Sequence, residues 1–361
     1  MPANHRQFVF PDDVRWDDAR HAWNLAADLR PAVVALPSSV EDVVAAVNYA
    51  VERDLQIVVQ GTGHGATAHR PLDGAILINM RARMNAVESY APSYRVGEAM
   101  WGGAVGQVVA SRNDGFHEGS WVSHGLGWRE LSLSDGRGLL PCDPSLAPVS
   151  TALGVLGLTG FTAHHGLLQI GRPQEGETVF VSGAAGAVGS IVGQIAKLKG
   201  CRVVGCAGSA EKVAWLEELG FDVAWDYHDA DTREMLGDGI DVYFDNVGGS
   251  TLEAAIGAMR RNGRVVACGS ISGYNATEAT PGPRNLFQIV TKRLLLQGYI
   301  ISDHYDGFGA FLAEMGPWVR EGKIRYRETI VDGIENAPAA FMGLLAGENI
   351  GKMLVRVGEA P

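Results

Sequence analysis

The sequence predicts an α/β chain organised on a doubly wound parallel sheet, with a smaller antiparallel part and an N-terminal α+β segment. Three observations carry the prediction. The β-branched run Thr178-Val179-Phe180-Val181 reads as a buried parallel strand. Glycines at 183, 186 and 189 follow it, and apolar residues at Ile191, Val192, Ile195, Ala196 and Leu198 then recur at helical spacing until Gly200 ends the pattern. A second apolar run, Cys201 to Cys206, completes a βαβ unit.

In such a unit the turn glycines let the backbone approach a pyrophosphate, and the helix start supplies free N–H groups and a positive dipole end. The spacing is G-x-x-G-x-x-G rather than G-x-G-x-x-G. A tight strand-to-helix turn with no ligand is the alternative reading, and the complete strand–helix–strand frame favours the dinucleotide. The second strand's end separates the two nicotinamide cofactors. NAD sites place an acid there, about 20 residues on, to hold the ribose 2′-hydroxyl. Here Ala207-Gly208-Ser209-Ala210 is uncharged and Lys212 follows, which suits a 2′-phosphate and hence NADP(H).

Composition sets the outer bounds. The chain has 361 residues, room for two domains, with 46% hydrophobic and 20% charged residues. Thirty lysines and arginines against 41 acids give a net charge of −11, which argues against nucleic acid or an anionic membrane as partner. The start, MPANHRQFVFPDD, has no apolar targeting region, and no apolar run of about 18 residues occurs. Cys142, Cys201, Cys206 and Cys268 stand at no metal-ligand spacing and suggest no disulfide framework. The expected location is the cytoplasm.

The first ninety residues read as strand, helix, strand. Ala32 to Ala35 is stopped by Pro37, and Ser38 or Ser39 caps a helix with apolar positions at Val43, Val44, Val47, Ala50 and Val51. Gln56 to Val59 is a strand running into the glycine-rich loop Gly61 to Ala66, and Asp73-Gly74 turns into a strand from Ala75 to Asn79. Beyond Pro92 the pattern changes. GEAMWGGAVGQVVASRNDGF, Trp121-Val122 and Gly127-Trp128 read as glycine-punctuated antiparallel strands, Pro141 to Pro148 as a linker, and Ser150 as the cap of an apolar segment, Thr151 to Gly157. Glu211 to Leu219 is a helix ended by Gly220. Strands are expected at Ile240 to Phe244 and Gly263 to Cys268, with polar ends at Asp245-Asn246-Val247-Gly248-Gly249 and Gly269-Ser270-Ile271-Ser272. Ligands of parallel sheets bind beyond such carboxyl ends, so both should meet the cofactor. A helix from Ala337 to Leu345 and a strand from Lys352 to Val357 close the chain.

Two resemblances bear on function. PAVVALPSSVEDVVAAVNYA, QGTGHGATA and DGAILINMRARMNAV, within residues 20–88, resemble the N-terminal subdomain of berberine-bridge-type FAD-linked oxidases, in which a loop histidine matching His64 carries the flavin. The rest of such an oxidase has no counterpart downstream, so FAD is an alternative cofactor and not the leading one. From Gly97-Glu98 through GWRE, AAGAVG, GSAEKVAWL, FDNVGG, CGSIS, QGYII and GENIGKMLV, residues 90–361 closely resemble the zinc-independent medium-chain reductases. These include the prostaglandin reductases, leukotriene B4 dehydrogenases and plant alkenal double-bond reductases.

That resemblance implies a Rossmann-type NADP-binding domain at 151–299 and a GroES-like catalytic domain at 89–150 and 300–361, preceded by the oxidase-like segment 1–88. It implies that NADP(H) is held by Gly186, Ala187, Val188, Gly189, Lys212, Tyr227, Asn246, the loop Cys268, Gly269, Ser270, Ile271, Ser272 and Tyr274, then Tyr299, Ile300, Ile301 and Asn349. The implied reaction is hydride delivery to the β-carbon of an enone or enal and protonation at the α-carbon. Tyr274 is the candidate donor to the developing oxyanion, and a loop tyrosine that only packs on the cofactor is the alternative reading. A homodimer is implied as well. A catalytically silent NADPH-binding protein is the remaining alternative.

The chain departs from this family twice. The family's N-terminal barrel strands and a pocket tyrosine within them are not recognisable, so the GroES-like part is expected to be incomplete. A Pro-Gly-x-Thr-Ala-Tyr-like segment beside the nicotinamide reads Thr159-Gly160-Phe161-Thr162-Ala163-His164, and the histidine is expected to alter packing there.

Overall fold

The computed structural model describes residues 7–20, 29–37, 40–60, 72, 74–79, 99–237, 239–274 and 282–358. The chain divides into two compact units, residues 1–101 and 102–361.

In the first unit β1 (Phe8–Val9) and α1 (Trp16–Arg20) precede β2 (Val33–Ala35), α2 (Val40–Glu52), β3 (Gln56–Gln60) and β4 (Ala75–Asn79). The sheet order is β1-β2-β4-β3, with β1 antiparallel and the other three parallel. Alternate residues divide between its faces. Val34, Ala75 and Leu77 pack with Val9, Ala19 and Leu29, whereas Val33, Ala35, Ile76 and Ile78 pack with Ala46 and Ala50 of α2. The expected strand–helix–strand order is therefore present, while His64 lies outside the described residues.

The second unit opens with an antiparallel sheet of β5 (Ala104–Gln107), β6 (Trp121–His124) and β7 (Leu140–Cys142). β7 occupies the start of the expected linker, and Gly127-Trp128 makes no strand. A 3-10 turn follows at Val149–Leu153; Pro148 is its N-cap, and Ser150 lies inside the turn instead of capping it. Next come α3 (Leu158–His165), which loosens into a π-helical turn at Gly166–Gly171, then β8 (Thr178–Val181), α4 (Gly189–Leu198) and β9 (Arg202–Ala207). α5 (Ala210–Glu218), β10 (Val223–Asp226), α6 (Thr232–Met235), β11 (Ile240–Asp245), α7 (Gly249–Ala258) and β12 (Met259–Ala267) continue the alternation. After α8 (Ile271–Tyr274), α9 (Phe287–Lys292) and β13 (Leu295–Gly298), the chain closes with α10 (Phe308–Arg320), β14 (Glu328–Asp332), α11 (Ala337–Leu345) and β15 (Lys352–Arg356), the last pairing in parallel with β14.

The six-stranded sheet is parallel throughout in the order β10-β9-β8-β11-β12-β13. Period-two alternation splits its residues between two cores. Val179, Val181, Val203, Val242, Phe244 and Val266 face α3, α4 and α10, while Phe180, Val204, Tyr243 and Val265 face Ala255, Ile256 and Ile289. Gly200 (φ +78°) and Gly220 (φ +85°) end α4 and α5 in the left-handed conformation that glycine adopts without steric cost. Strand order reverses between β8 and β11, which opens a crevice at their carboxyl ends. Among the described residues no helix is long and apolar enough to cross a membrane.

Candidate cofactor and substrate site

The turn after β8 is shaped for close backbone approach. Gly183 takes φ +56°, and a Cβ on Gly189 would stand 2.6 Å from the Gly183 carbonyl oxygen and 2.8 Å from the Ala184 Cα. Only glycine lets α4 start against this turn. Gly186, Ala187 and Val188 complete the turn; Gly186 donates to Gly183 O at 3.1 Å, and Ser190 of α4 donates back to Gly186 O. The chain's tail closes over this turn, because Gly351 N–H donates to Ala185 O at 2.8 Å. Asn349, almost fully buried, fixes that tail by donating from Nδ2 to Gly351 O at 2.7 Å.

Across the switch point, Asn246 donates from Nδ2 to Ser182 O at 2.8 Å and from its backbone to Ser182 Oγ at 3.1 Å. Beneath it lies a buried polar cluster that sequence reasoning missed. Asp245 accepts from the Tyr243 hydroxyl at 2.6 Å and from the backbone N–H groups of Val247 and Gly248 at 2.9 and 2.8 Å. The Tyr243 hydroxyl also reaches Ser182 Oγ at 2.9 Å. The sequence offers one signal for it, the polar Asp245 at the end of an otherwise apolar strand. Burial, then the Asp245 charge, push the Tyr243 phenol well above its ordinary pKa, so it remains a donor. The next loop hangs on the same turn. Cys268 and Gly269 donate to Asp245 O, Ile271 donates to Asn246 O, and Ser272 donates to Val247 O from both backbone and hydroxyl. Ser270 packs on Gly248. Tyr274 is 62% exposed, and its hydroxyl oxygen accepts from Ser270 N–H at 3.4 Å, leaving its proton for another acceptor.

The β9 end carries no acid in the strand or its turn. Ser209 caps α5 by accepting from Lys212 N–H, and the Lys212 ammonium donates to Gly347 O on the tail. Burial pushes that ammonium below its ordinary pKa. Tyr227 lies half-exposed with its hydroxyl against Gly208, where a Cβ would stand 2.6 Å away. Beyond β13, the Tyr299 hydroxyl donates to Thr162 O at 2.7 Å, Ile300 follows, and Ile301 turns into the core. Burial raises the Tyr299 phenol and holds the Cys268 thiol up at about 11, so neither ionises near neutrality.

The expected residues of the second unit thus lie beyond the carboxyl ends of the sheet strands, Lys212 after β9, Tyr227 after β10 and the others after β8, β11, β12 and β13, with Asn349 on the tail. One expectation changes. His164 turns away from this crevice: its Nε2 lies 2.8 Å from Glu314 Oε2 on α10, and its ring packs against Phe311 and Trp318. The adjacent His165 points the other way, stacked on His304 with ring centroids 4.0 Å apart and 5.7 Å from the Tyr299 ring. A helix turns about 100° per residue, so neighbours in sequence face different surroundings. Among the described residues no three His, Cys, Asp or Glu side chains group as a metal site.

The family model described as zinc-binding dehydrogenase matches residues 187–315, and the one described as the N-terminal domain of oxidoreductase matches residues 76–142. The chain is 45% identical over 320 residues to the NADPH-dependent curcumin reductase of Escherichia coli, covering 86% of this chain and 92% of that one. It is 42% identical over 288 residues to the NADP(+)-dependent 2-alkenal reductase of Nicotiana tabacum, covering 78% and 84%. The solved structure of CurA from Vibrio vulnificus in complex with NADPH superposes with a TM-score of 0.72 at 46% identity, covering 77% of this chain and 86% of that one. The oxidase-like reading of residues 20–88 gains no support here, and the match to the N-terminal oxidoreductase domain begins inside that stretch, at residue 76. By sequence similarity and fold, the chain belongs to the zinc-independent medium-chain dehydrogenase/reductase family.

Proposed function

We propose that the protein is an NADPH-dependent reductase of the activated C=C bond of α,β-unsaturated ketones or aldehydes. The observation that carries this reading is the convergence of the Gly183–Gly189 turn, the Asn246 turn, the Cys268–Tyr274 loop and Lys212 on one crevice, on a chain similar to NADPH-dependent curcumin and 2-alkenal reductases. The glycine turn has the close backbone packing that a pyrophosphate cradle needs, and the acid-free β9 end suits a 2′-phosphate.

Each side chain then has a role. Gly186, its own N–H bound to Gly183 O, shapes the turn so that Ala187, Val188 and Gly189 present N–H groups to the pyrophosphate, and Lys212 leaves Gly347 to pair with the 2′-phosphate. Tyr227 packs beside the adenosine half. Asn246, Cys268 to Ser272, Tyr299 to Ile301 and Asn349 border the nicotinamide half. When bound, the reduced nicotinamide supplies a hydride to the substrate's β-carbon. As negative charge gathers on the carbonyl oxygen, the Tyr274 hydroxyl donates to it. Tyr274→Phe should lower kcat and kcat/KM together, by about 10²-fold, because such a bond strengthens only in the transition state.

We also infer a homodimer through β13. This strand closes the sheet with all four residues exposed, Leu295 and Leu296 among them, and Leu286, Phe287 and Val290 just before it in the chain are exposed as well. An open strand edge of this kind pairs with another copy of itself under two-fold symmetry. Leu296→Lys should yield monomer by light scattering; an unchanged mass would refute the interface. Four unpaired thiols and a reduced nicotinamide suit the cytoplasm, which fractionation would test.

The functional test is NADPH oxidation by the purified chain with short alkenals and alkenones, NADH alongside. Substrate-dependent loss of NADPH, weaker with NADH, is expected. NADPH binding with no turnover would instead make it a silent binding protein.

A further inference from the structure

We propose that His165, stacked on His304, is the proton donor that completes the reduction at the substrate's α-carbon; this rests on the function proposed above. The argument starts from position. His165 is the last residue of α3, one helical turn beyond Thr162, whose carbonyl accepts the Tyr299 hydroxyl. Its ring lies 5.7 Å from Tyr299 and 6.1 Å from Phe161, so it borders the segment expected to meet the nicotinamide. His304 sits in the 3-10 turn Ile301–Gly307 with φ −125° and ψ 21°, outside the helical region, and its ring lies over His165 at 4.0 Å and 25°. Both rings are partly exposed, so protons can be replaced from water.

A charge on His304 at stacking distance opposes a proton on His165. The charged and titratable groups around His165 are His304 and Asp306 from the 3-10 turn, Tyr299 beyond β13, and His164 on its own helix, whose ring faces Glu314, itself bonded to Lys199. Burial first, then His304 and His164, make His165 a stronger acid than a free imidazole, and Asp306 opposes them. The nearby alternatives are engaged. Tyr299 spends its proton on Thr162 O, and the Cys268 thiol is held at about 11.

The chemistry balances. Hydride from the cofactor forms the new C–H bond at the β-carbon, and the π-electron pair moves toward the carbonyl as an enolate. The α-carbon then takes the His165 imidazolium proton, leaving neutral imidazole and a saturated carbonyl product. Solvent reprotonates the pair through His304.

Two readouts test this. With the cofactor-free chain, NMR of the histidine ring protons should show His165 titrating below its ordinary value and moving upward in His304→Phe, which removes the opposing charge. With NADPH and an enone, kcat/KM should fall as pH rises through the imidazole range in the wild type. His165→Phe, which keeps a ring in the stack, should lose that limb and drop about 10²-fold at its acid end, with NADPH affinity unchanged. His304→Phe should keep the limb and move it to higher pH. A limb that survives in His165→Phe overturns the proposal. Should that variant not fold, an unmoved limb and an unmoved His165 titration in His304→Phe overturn it equally. A wild type that binds NADPH but reduces no enone overturns the functional reading and, with it, this role.

Discussion

Lys212 is the residue on which cofactor choice should turn. In the structure its ammonium donates to Gly347 O, and Ser209 fixes its backbone in the first turn of α5. Binding of a 2′-phosphate exchanges the neutral carbonyl acceptor for an anionic one, an ion pair. The first is worth about 1 kcal/mol and the second about 1.5–3 kcal/mol, so the net gain is roughly 0.5–2 kcal/mol. Lys212→Met keeps the apolar stem and removes the charge. It should weaken NADPH binding about 2- to 30-fold and leave NADH binding within about twofold. Titration of both cofactors by fluorescence reads the ratio directly. The preference should also fade at alkaline pH. A lysine held below its ordinary 10.5 by burial loses its charge before a free lysine would, and the neutral amine no longer pairs with phosphate. An NADPH-to-NADH ratio unchanged in Lys212→Met would refute this account of cofactor choice.

Other expectations follow from the same contacts. Gly189→Ala places a Cβ 2.6 Å from the Gly183 carbonyl oxygen, so the turn must shift; NADPH affinity should fall at least about tenfold, with about 1–3 kcal/mol lost in denaturant melts. Asp245→Asn removes the charge that gathers the Tyr243 hydroxyl and two backbone N–H groups, and should both raise the NADPH Kd and lower Tm. At Glu177 and Glu314 burial opposes ionisation, but bonds to Arg264 in one case and to His164 and Lys199 in the other outweigh it, and both pKa values sit below 4.5. Their stabilising contribution is therefore complete above 4.5 and is lost as pH falls through the lowered values. Tm measured from pH 7 down to pH 3 should drop on that acid limb, and less steeply in Glu314→Gln.

What the sequence revealed and what it hid have physical reasons. The β8–α4–β9 unit was legible because β-branched strands, glycine spacing and a helical apolar stripe lie within one short stretch. α2 and α11 were legible for the same local reason. By contrast β13 is the short run Leu295–Gly298 after Arg293 at φ +54°, with no alternation to mark it. α10 hides behind Gly309, Gly316 and Pro317, which argue against a helix locally, although Phe311 and Met315 bury one face of it. Tertiary packing decides there. The cofactor residues could be named because motifs carry them. The Asp245–Tyr243–Ser182 cluster and the His165–His304 stack could not, since each joins residues far apart in sequence. The same limit misassigned His164, whose partner Glu314 lies 150 positions away.

The central claim is hydride transfer from NADPH to an activated alkene within this crevice. The most direct measurement supplies NADPH deuterated at C4 with a simple enone and locates the label in the product by mass spectrometry and NMR. The account predicts stoichiometric NADPH loss and deuterium at the β-carbon, with a solvent-derived proton at the α-carbon. Bound NADPH with no product, or deuterium delivered to the carbonyl carbon, would contradict it.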